Sequence, residues 1–228
     1  RGSGAGRKVR LLLDAMRRRA ALDGCVMLDI NETFVRASVE VLAEEYPEAG
    51  VRGVVGDFLL DLEAVGAGDQ RLVIFLAGTI GNLYPRQLAR FLHRVRAALG
   101  PRDAFLVGLD LIKDVDRLEA AYNDRAGVTA EFNRNILRVL NRRFATGFDV
   151  EAFEHVAFYD REQAWIEMRL RALRPTTAAL GDGREILFSA GDEIRTEISR
   201  KFSRDSFTAA LEGSGLGLAA WYTDPESL

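Results

Sequence analysis

Turns beside the apolar runs of the first half carry side chains that could hold a small polar ligand. Asn82 closes the turn at residues 78–82, and Asp29 and Asp57 end two earlier apolar runs. A glycine-rich opening at residues 2–6 precedes the first segment with helical periodicity. Ligands in an open α/β sheet bind outside the carboxyl ends of the strands, so we expect these residues to line one binding edge.

The glycine-rich opening, Asp29 and Asp57 fit a nucleoside cofactor. The glycines allow a tight turn and a close approach of the backbone, which suits a phosphate or the carboxylate of S-adenosylmethionine. Asp29 lies about 25 residues after the glycines, near the spacing at which an acidic side chain binds ribose hydroxyls. Asp57 could accept a hydrogen bond from an adenine amino group. Each aspartate alone is more often a helix cap or a turn residue, and the spacing leaves NAD and S-adenosylmethionine as alternatives.

A second group of polar residues lies near the end of the chain. Glu197 and Ser199 are two residues apart in a segment that we predict to be extended, so their side chains share a face. One anionic acceptor and one hydroxyl fit a ligand with two polar edges, such as an imidazole. The alternative is a surface ion pair of Glu197 with Arg195 or Lys201. For Tyr122 we weigh a cleft position against an amphipathic core position.

The order of apolar runs predicts the elements that hold these residues. Short apolar runs alternate with helix-period segments in the first half, which is typical of a parallel sheet flanked by helices. We predict strands at residues 26–29, 51–55, 72–76 and 104–109, and helices at residues 7–19, 31–45 and 85–99. Asn31 is the expected N-cap of the second helix. The expected fold class is α/β, with a doubly wound parallel sheet.

The pattern changes after Lys113. Helices are predicted at residues 115–125 and 129–144, and period-2 alternation at residues 154–159 and 164–171 indicates an antiparallel hairpin or meander. Further strands are expected at residues 186–189 and 216–222, with a helix at residues 204–212 between them. Met168, on the second alternating run, would ordinarily fill a core. We interpret this half as an α+β insertion that caps the strand ends of the first half.

Composition narrows the classes of partner. The chain has 228 residues, a net charge of −3 and a pI near 5.6, which gives no electrostatic footprint for nucleic acid or an anionic membrane. One cysteine, Cys25, and two histidines are too few for a disulfide framework or a zinc site, so no metal is expected. No apolar run approaches membrane-spanning length. We expect a cytoplasmic monomer that binds a small molecule.

The ends of the chain are unusual. A nucleotide-binding glycine loop ordinarily follows a strand, yet here the glycines begin at residue 2. The last residues stop just after a predicted strand. We therefore expect a fragment at both ends.

These segments, in this order, resemble the histidine Nα-methyltransferase family of ergothioneine biosynthesis, the S-adenosylmethionine-dependent enzymes that convert histidine to its trimethylated betaine. The likeness covers essentially the whole chain. Its most specific motifs are Thr79-Ile-Gly-Asn82 and Arg195-Thr-Glu-Ile-Ser199. The remaining matches are residues 2–4, 8–15, 56–57, 119–122, 132–133, 137–141 and 200–202.

The resemblance implies S-adenosylmethionine as the cofactor and histidine, a free amino acid, as the substrate. The implied cofactor residues are Gly2, Ser3, Gly4 and Lys8 for the methionine part, Asp29 for the ribose and Asp57 for the adenine. Asn82 and Tyr122, the expected catalytic residues, would hold the amino and carboxylate end of the substrate, with Thr79 nearby. Glu197 and Ser199 would bind the imidazole, and Met168 would line its pocket.

The resemblance also implies a division of the chain. Residues 1–113 would form a Rossmann-like methyltransferase core, residues 114–202 a substrate-binding sub-domain, and residues 203–228 a helix and strand that return to the core. Arg1 and Ala77 depart from the family pattern, which has an apolar strand residue and a glycine there. We also expect this chain to lack the family's N-terminal helical segment. A methyltransferase for another amino acid and a non-catalytic cofactor-binding module are the alternatives.

Overall fold

The computed structural model describes residues 3–180 and 183–224, with side chains from residue 6 onward. Helices and strands alternate along most of the chain, as expected for an α/β protein. The first elements are α1 (Ser3–Arg18), β1 (Val26–Asp29), α2 (Glu32–Glu45), β2 (Arg52–Val55), β3 (Leu72–Phe75), α3 (Pro85–Ala98) and β4 (Ala104–Val107). The later elements are α4 (Val115–Tyr122), α5 (Val128–Phe144), β5 (Phe153–Asp160), β6 (Trp165–Ala172), β7 (Thr176–Ala179), β8 (Glu185–Phe188), β9 (Glu193–Arg200) and α6 (Arg204–Glu212).

The chain divides into two compact units. The first comprises residues 3–77, 85–108 and 208–219. Its strands form two parallel pairs, β1 with β2 and β3 with β4, as the run of short apolar segments predicted. No ladder joins the two pairs within the described ranges, so the single doubly wound sheet stays a prediction.

Two apolar clusters hold the first unit together. Leu13 of α1 packs with Leu42 and Tyr46 at the end of α2, and the Tyr46 hydroxyl donates to Asp14 Oδ1 at 2.8 Å. Cys25 is half-buried beside this cluster, and burial raises the pKa of its thiol. The second cluster is a set of aromatic rings whose centroids lie 4.9 to 6.3 Å apart: Phe58, Phe75, Phe91 and Phe105.

The second unit comprises residues 78–84, 109–207 and 220–224. Its centre is the antiparallel sheet β5–β6–β9, and β7 and β8 form a separate antiparallel pair. Helices α4 and α5 pack against β5. A core of Leu137, Phe153 and Leu170 supports one end of the sheet. The two alternating runs of the sequence therefore form an antiparallel hairpin, one of the two arrangements that they predicted, and β9 pairs with the second strand of that hairpin.

The local predictions differ from the structure in three places. Helix α1 begins at Ser3 rather than near residue 7, so part of the expected glycine loop is helical. The strand expected at residues 216–222 is not formed, because that stretch follows a turn at Gly215 (φ +78°) and pairs with no described strand. Strand β7 was not predicted, whereas the Asn31 cap is confirmed, since its side chain accepts from the Phe34 amide at 3.1 Å.

Candidate functional site

One face of β6 and β9 gathers three of the predicted substrate-side residues, Met168, Glu197 and Ser199. Strand β9 is extended, so Glu197 and Ser199 share a face as predicted. The register places Met168 opposite Glu197 and Ile166 opposite Ser199, and directly opposed side chains lie on the same face. We call these four residues the pocket face.

Helix α4 covers the apolar part of the pocket face. Ile166 and Met168 pack with Leu118, and Tyr122 lies against the same cluster. Met168 is 3% exposed, so it contributes to a core as its residue type predicts. The ring of Tyr122 therefore takes the core position, while its hydroxyl reaches Ser199 on β9, and the cleft position stays a prediction.

A buried lysine organises those polar groups. The side chain of Lys201 is fully buried, and its Nζ donates to Asp110 Oδ2 at 2.6 Å, to Tyr122 Oη at 2.8 Å and to Ser199 Oγ at 2.9 Å. A buried ammonium is tolerated only when a counter-charge and hydrogen-bond acceptors replace its water. Asp110 supplies that charge and also accepts from Lys113 at 2.7 Å.

The carboxyl group of Asp110 responds to two opposing influences. Burial by itself would raise its pKa, but hydrogen bonds from Lys113 and Lys201 outweigh burial and leave the pKa below its ordinary value. The group is therefore held as a carboxylate, which keeps the charge of the buried Lys201 balanced.

Glu197 has a different environment from the other acids of the sheet. It is half-buried, burial raises the pKa of its carboxyl, and the charge of Lys201 lowers that pKa in part. Its carboxylate forms no hydrogen bond or ion pair with another described residue. The predicted alternative, a surface pair, is not formed, because Arg195 pairs with Glu167 at 3.6 Å and Lys201 with Asp110. The carboxylate therefore remains available to a ligand.

A polar network fixes the two elements that carry Glu197 and Tyr122. The ladder between β6 and β9 shifts register after Met168, and Thr196 at this bulge donates to Asn133 Oδ1 at 2.6 Å. The Asn133 amide donates to His155 Nδ1 at 2.8 Å, and His155 Nε2 donates to the Tyr122 carbonyl at 2.9 Å. The end of α4 and the bulge before Glu197 are thus tied together.

The turn that ends at Asn82 is held on the end of β9. Gly78 lies in the left-handed region (φ +71°) and begins the 3₁₀ turn Thr79–Asn82. A Cβ atom on Gly81 would lie 2.7 Å from the Arg200 carbonyl oxygen, so only glycine allows this approach. The side chain of Asn82 is exposed and bonds to no other described residue. Thr79 and Asn82 consequently belong to the same unit as the pocket face.

The predicted cofactor residues that the structure describes lie in the first unit. Asp29 and Asp57 end neighbouring strands, since the Gly56 amide donates to the Asp29 carbonyl at 3.1 Å. Asp29 Oδ1 accepts from the Asn31 amide and Asp57 Oδ1 from the Leu59 amide, each at 2.8 Å. Each aspartate therefore has a structural role on one oxygen. Neither Oδ2 atom has a donor among the described residues.

The remaining cofactor predictions concern the start of the chain. Gly2 lies outside the described residues. Ser3 and Gly4 are in the first turn of α1, and Lys8 is exposed one turn later. A helix N-terminus presents free amide groups, which is the property that the predicted glycine loop was expected to supply.

Sequence reasoning missed Lys201, Asp110, Asn133 and His155 as supporting residues. A signal for Lys201 was present, because it follows Ser199 by two residues and so continues the face of Glu197 and Ser199. Its partner Asp110 could not be found in this way, since it lies 91 residues away in the sequence.

The described residues form neither a metal-binding cluster nor a membrane-spanning helix. Within residues 3–180 and 183–224, His, Cys, Asp and Glu side chains form no cluster of three or more that could hold a metal ion. None of the helices in the described part of the chain is long and apolar enough to cross a membrane.

Comparison with known proteins gives a consistent result. The model of a family described as histidine-specific, S-adenosylmethionine-dependent methyltransferases matches residues 1–228. The chain is 43% identical over 227 residues to a histidine N-alpha-methyltransferase of Mycolicibacterium smegmatis, covering 98% of this chain and 70% of the relative. A protein of the same name from Mycobacterium tuberculosis is 40% identical over 233 residues, with the same two coverages. Ergothioneine biosynthesis protein 1 of Neurospora crassa is 29% identical over 243 residues, covering 97% of this chain and 26% of that protein.

Proposed function

This chain belongs to the family of histidine-specific, S-adenosylmethionine-dependent methyltransferases, and from that premise we propose how its residues divide the reaction. It is an N-methyltransferase that acts on the α-amino group of histidine in ergothioneine biosynthesis. The alternative of a nicotinamide cofactor is thereby removed.

We assign the imidazole of histidine to the pocket face. The observation that carries this assignment is the half-buried carboxylate of Glu197, which has no partner among the described residues and lies beside the hydroxyl of Ser199. An imidazole offers an N–H to the carboxylate and a ring nitrogen to the hydroxyl. Met168 supplies the apolar surface against which the ring would lie.

We assign the amino and carboxylate end of the substrate to Asn82 and Tyr122, with Thr79 nearby. The exposed amide of Asn82 has both a donor and an acceptor free of other described residues, which suits an ammonium or amine beside a carboxylate. Methyl transfer requires a neutral amine held in one orientation, so the contribution of these side chains is positioning and partial desolvation. No dedicated base is needed, because solvent can remove the amine proton.

We assign the cofactor to Gly2, Ser3, Gly4, Lys8, Asp29 and Asp57. The free Oδ2 atoms of Asp29 and Asp57 lie at one strand edge and fit the hydroxyl and amino donors of a nucleoside. When bound, S-adenosylmethionine supplies the electrophilic methyl group of a sulfonium. We further propose a Rossmann-like, doubly wound core at residues 1–113, a substrate sub-domain at residues 114–202, a returning segment at residues 203–228, and a cytoplasmic monomer.

The test is a set of free amino acids incubated with S-adenosylmethionine, with methylated products measured by mass spectrometry. We expect methylation of histidine in preference to every other amino acid. Glu197→Ala should lower kcat/KM for histidine by about 10- to 150-fold, because a hydrogen bond to a charged acceptor contributes about 1.5 to 3 kcal/mol. Arg195→Ala is the matched control, since Arg195 is on the same strand and pairs with Glu167 instead.

Three outcomes would contradict these assignments. Product with another amino acid but not with histidine would overturn the proposed substrate. Unchanged preference in Glu197→Ala would overturn the role of the pocket face. Unchanged turnover in Asn82→Ala would remove Asn82 from the amine-binding group.

A further inference from the structure

The hydrogen bonds around Lys201 determine whether the Ser199 hydroxyl can donate a hydrogen bond to a ligand or accept one from it. The ammonium has three N–H groups, and all of them are used, on Asp110 Oδ2, Tyr122 Oη and Ser199 Oγ. No N–H of Lys201 is left for a ligand. Its influence on a substrate must therefore act through the two hydroxyl groups.

The bond between the two hydroxyl groups has one favoured direction. The Tyr122 and Ser199 oxygens lie 2.8 Å apart, so only one of the two groups can donate across that distance. A phenol is a stronger acid than an aliphatic alcohol, and the Lys201 ammonium donates to both oxygens at nearly the same distance, so it does not reverse that order. Tyr122 therefore donates and Ser199 accepts.

Ser199 then accepts two hydrogen bonds, from Lys201 and from Tyr122, and both lone pairs of its oxygen are occupied. Its own hydrogen has no acceptor among the described residues. The hydroxyl can consequently give a hydrogen bond to a ligand but cannot accept one. We propose that Lys201 is a positioning residue that makes Ser199 a donor only, so that the pocket face selects the neutral form of the substrate imidazole. This inference rests on the proposed function.

The two protonation states of imidazole present different edges. Neutral imidazole has one N–H and one unprotonated nitrogen, whereas imidazolium has two N–H groups. Glu197 can accept from the single N–H, and Ser199 can donate to the other nitrogen. An imidazolium would direct its second N–H at the Ser199 hydrogen, close to the charge of Lys201, which lies 2.9 Å from Ser199. The Glu197 carboxylate alone would favour the imidazolium cation. The hydrogen bonds from Lys201 and Tyr122 to Ser199 therefore decide that the neutral imidazole is selected instead.

Other charged and titratable groups lie near Lys201, Tyr122 and Ser199 and contribute to the electrostatic potential there. Asp110 and Lys113 lie behind Lys201. The strands and helices packed against the pocket face also carry Tyr159, Glu119, His155 and, near Tyr159, Arg161 and Asp160. None of these donates to or accepts from Ser199.

The test compares histidine with 1,2,4-triazol-3-yl-alanine, whose ring stays neutral where imidazole is protonated. Both substrates are mixed in one reaction, so the product ratio gives the ratio of their kcat/KM values. The amine, Glu197 and every other enzyme group affect both substrates and cancel. In the parent enzyme we expect the histidine to triazole ratio to fall about tenfold per pH unit below the imidazole pKa of about 6.5.

Lys201→Met should make that decline shallower, to less than about threefold per unit, because Ser199 regains a lone pair for the second N–H of imidazolium. Tyr122→Phe should act in the same direction, since it also frees a lone pair on Ser199. The product ratio does not depend on the overall rate, so either variant remains informative at low activity. Should Lys201→Met fail to fold, Tyr122→Phe keeps the test decisive.

Lys113→Met is the matched control, because Lys113 contacts the same Asp110 but neither hydroxyl. We expect the parent ratio profile in this variant. A flat profile in the parent enzyme, a steep profile in both Lys201→Met and Tyr122→Phe, or the same flattening in Lys113→Met would each overturn the inference. Absence of any methylated product from the parent enzyme is a separate result, which would overturn the proposed function and this inference with it.

Discussion

At the scale of single residues, Ala77 has an unusual backbone. Its φ is +69°, in the left-handed region that side chains with a Cβ atom disfavour. Gly78 follows with φ +71°, so the chain turns sharply just after β3. The resemblance noted from the sequence has a glycine where Ala77 stands, and the backbone geometry gives the physical reason for that preference.

We expect Ala77→Gly to raise the free energy of unfolding by about 0.5 to 1 kcal/mol, because relief of the left-handed strain exceeds the added entropy of the unfolded chain. Urea denaturation measures the change. Ala89→Gly is the control, since Ala89 is exposed in the middle of α3, and there glycine should destabilise by about 0.5 to 1 kcal/mol. Equal destabilisation by both variants would contradict the argument.

The carboxyl group of Glu197 gives a pH-dependent prediction. Burial raises its pKa in the folded protein, so protonation favours the folded form. The stability contributed by this group is present at low pH and is lost as the pH rises through the folded-state pKa. Glu197→Gln should therefore increase the free energy of unfolding at neutral pH and leave it unchanged below the ordinary glutamate pKa of about 4.3.

Glu193 on the same strand is the matched control for that experiment. Hydrogen bonds from Arg169 and Arg171 lower the pKa of its carboxyl, so its stabilising contribution exists at neutral pH and is lost on acidification. Glu193→Gln should lower stability at neutral pH and converge with the parent in acid. Urea unfolding at both pH values distinguishes the two. A loss of stability at neutral pH in Glu197→Gln would contradict the assigned direction.

At the scale of elements, the turn Thr79–Asn82 depends on its contact with β9. The close approach of Gly81 to the Arg200 carbonyl leaves no room for a side chain. Gly81→Ala should destabilise by about 1 to 3 kcal/mol and weaken histidine binding, because the turn must move and carry Asn82 with it. Calorimetric unfolding and the KM for histidine measure the two effects.

Gly24→Ala is the control for this substitution. Its added Cβ atom would lie 3.7 Å from the nearest atom, the Ala49 carbonyl oxygen, which is an ordinary contact. We expect a change within about 0.5 kcal/mol and an unaltered KM. If Gly81→Ala behaved in the same way, the turn would not be locked to β9.

The elements also show what could be predicted from the sequence and why. β1 and α6 have the bounds that apolar periodicity predicted, because each is a short segment with a clear beginning and end. The strand expected at residues 216–222 fails and β7 was missed, since a strand exists only where a neighbour pairs with it. The partner of β7 is β8, which follows closely in the sequence, but the residues of β7, Thr176-Thr-Ala-Ala179, show no alternation of apolar and polar side chains that would have marked a strand.

In the candidate site, too, some features were predictable from local sequence patterns and others were not. The shared face of Glu197 and Ser199 was predictable from period-2 spacing. The network through Asn133 and His155 was not, because it joins a helix, a strand and a bulge from separate parts of the chain. Local spacing identifies which residues share a face, and only the fold identifies what supports them.

At the scale of the whole molecule, ligand binding should raise thermal stability. A ligand that binds only the folded state at a hundredfold excess over its Kd adds about 2.7 kcal/mol, which corresponds to roughly 5 to 10 °C in Tm. We expect this shift with S-adenosylhomocysteine and none with NADH. Differential scanning fluorimetry measures it.

Asp57→Ala tests whether the shift arises at the proposed cofactor residues. We expect S-adenosylhomocysteine to raise the Tm of Asp57→Ala by less than it raises the Tm of the parent protein at the same ligand concentration. Asp69→Ala is the control, because Asp69 is an exposed aspartate of the same unit that pairs with Arg102. An equal shift in the parent protein and Asp57→Ala would remove Asp57 from the cofactor site.

The burial of Lys201 has a consequence for proteolysis. The chain has only three lysines, Lys8, Lys113 and Lys201, and a lysine-specific protease must take the side chain into its own pocket. The side chain of Lys201 is fully buried, so the bond after it is cut only when the end of β9 opens. The rate of that cleavage reports the opening of the pocket face, and histidine bound there should slow it.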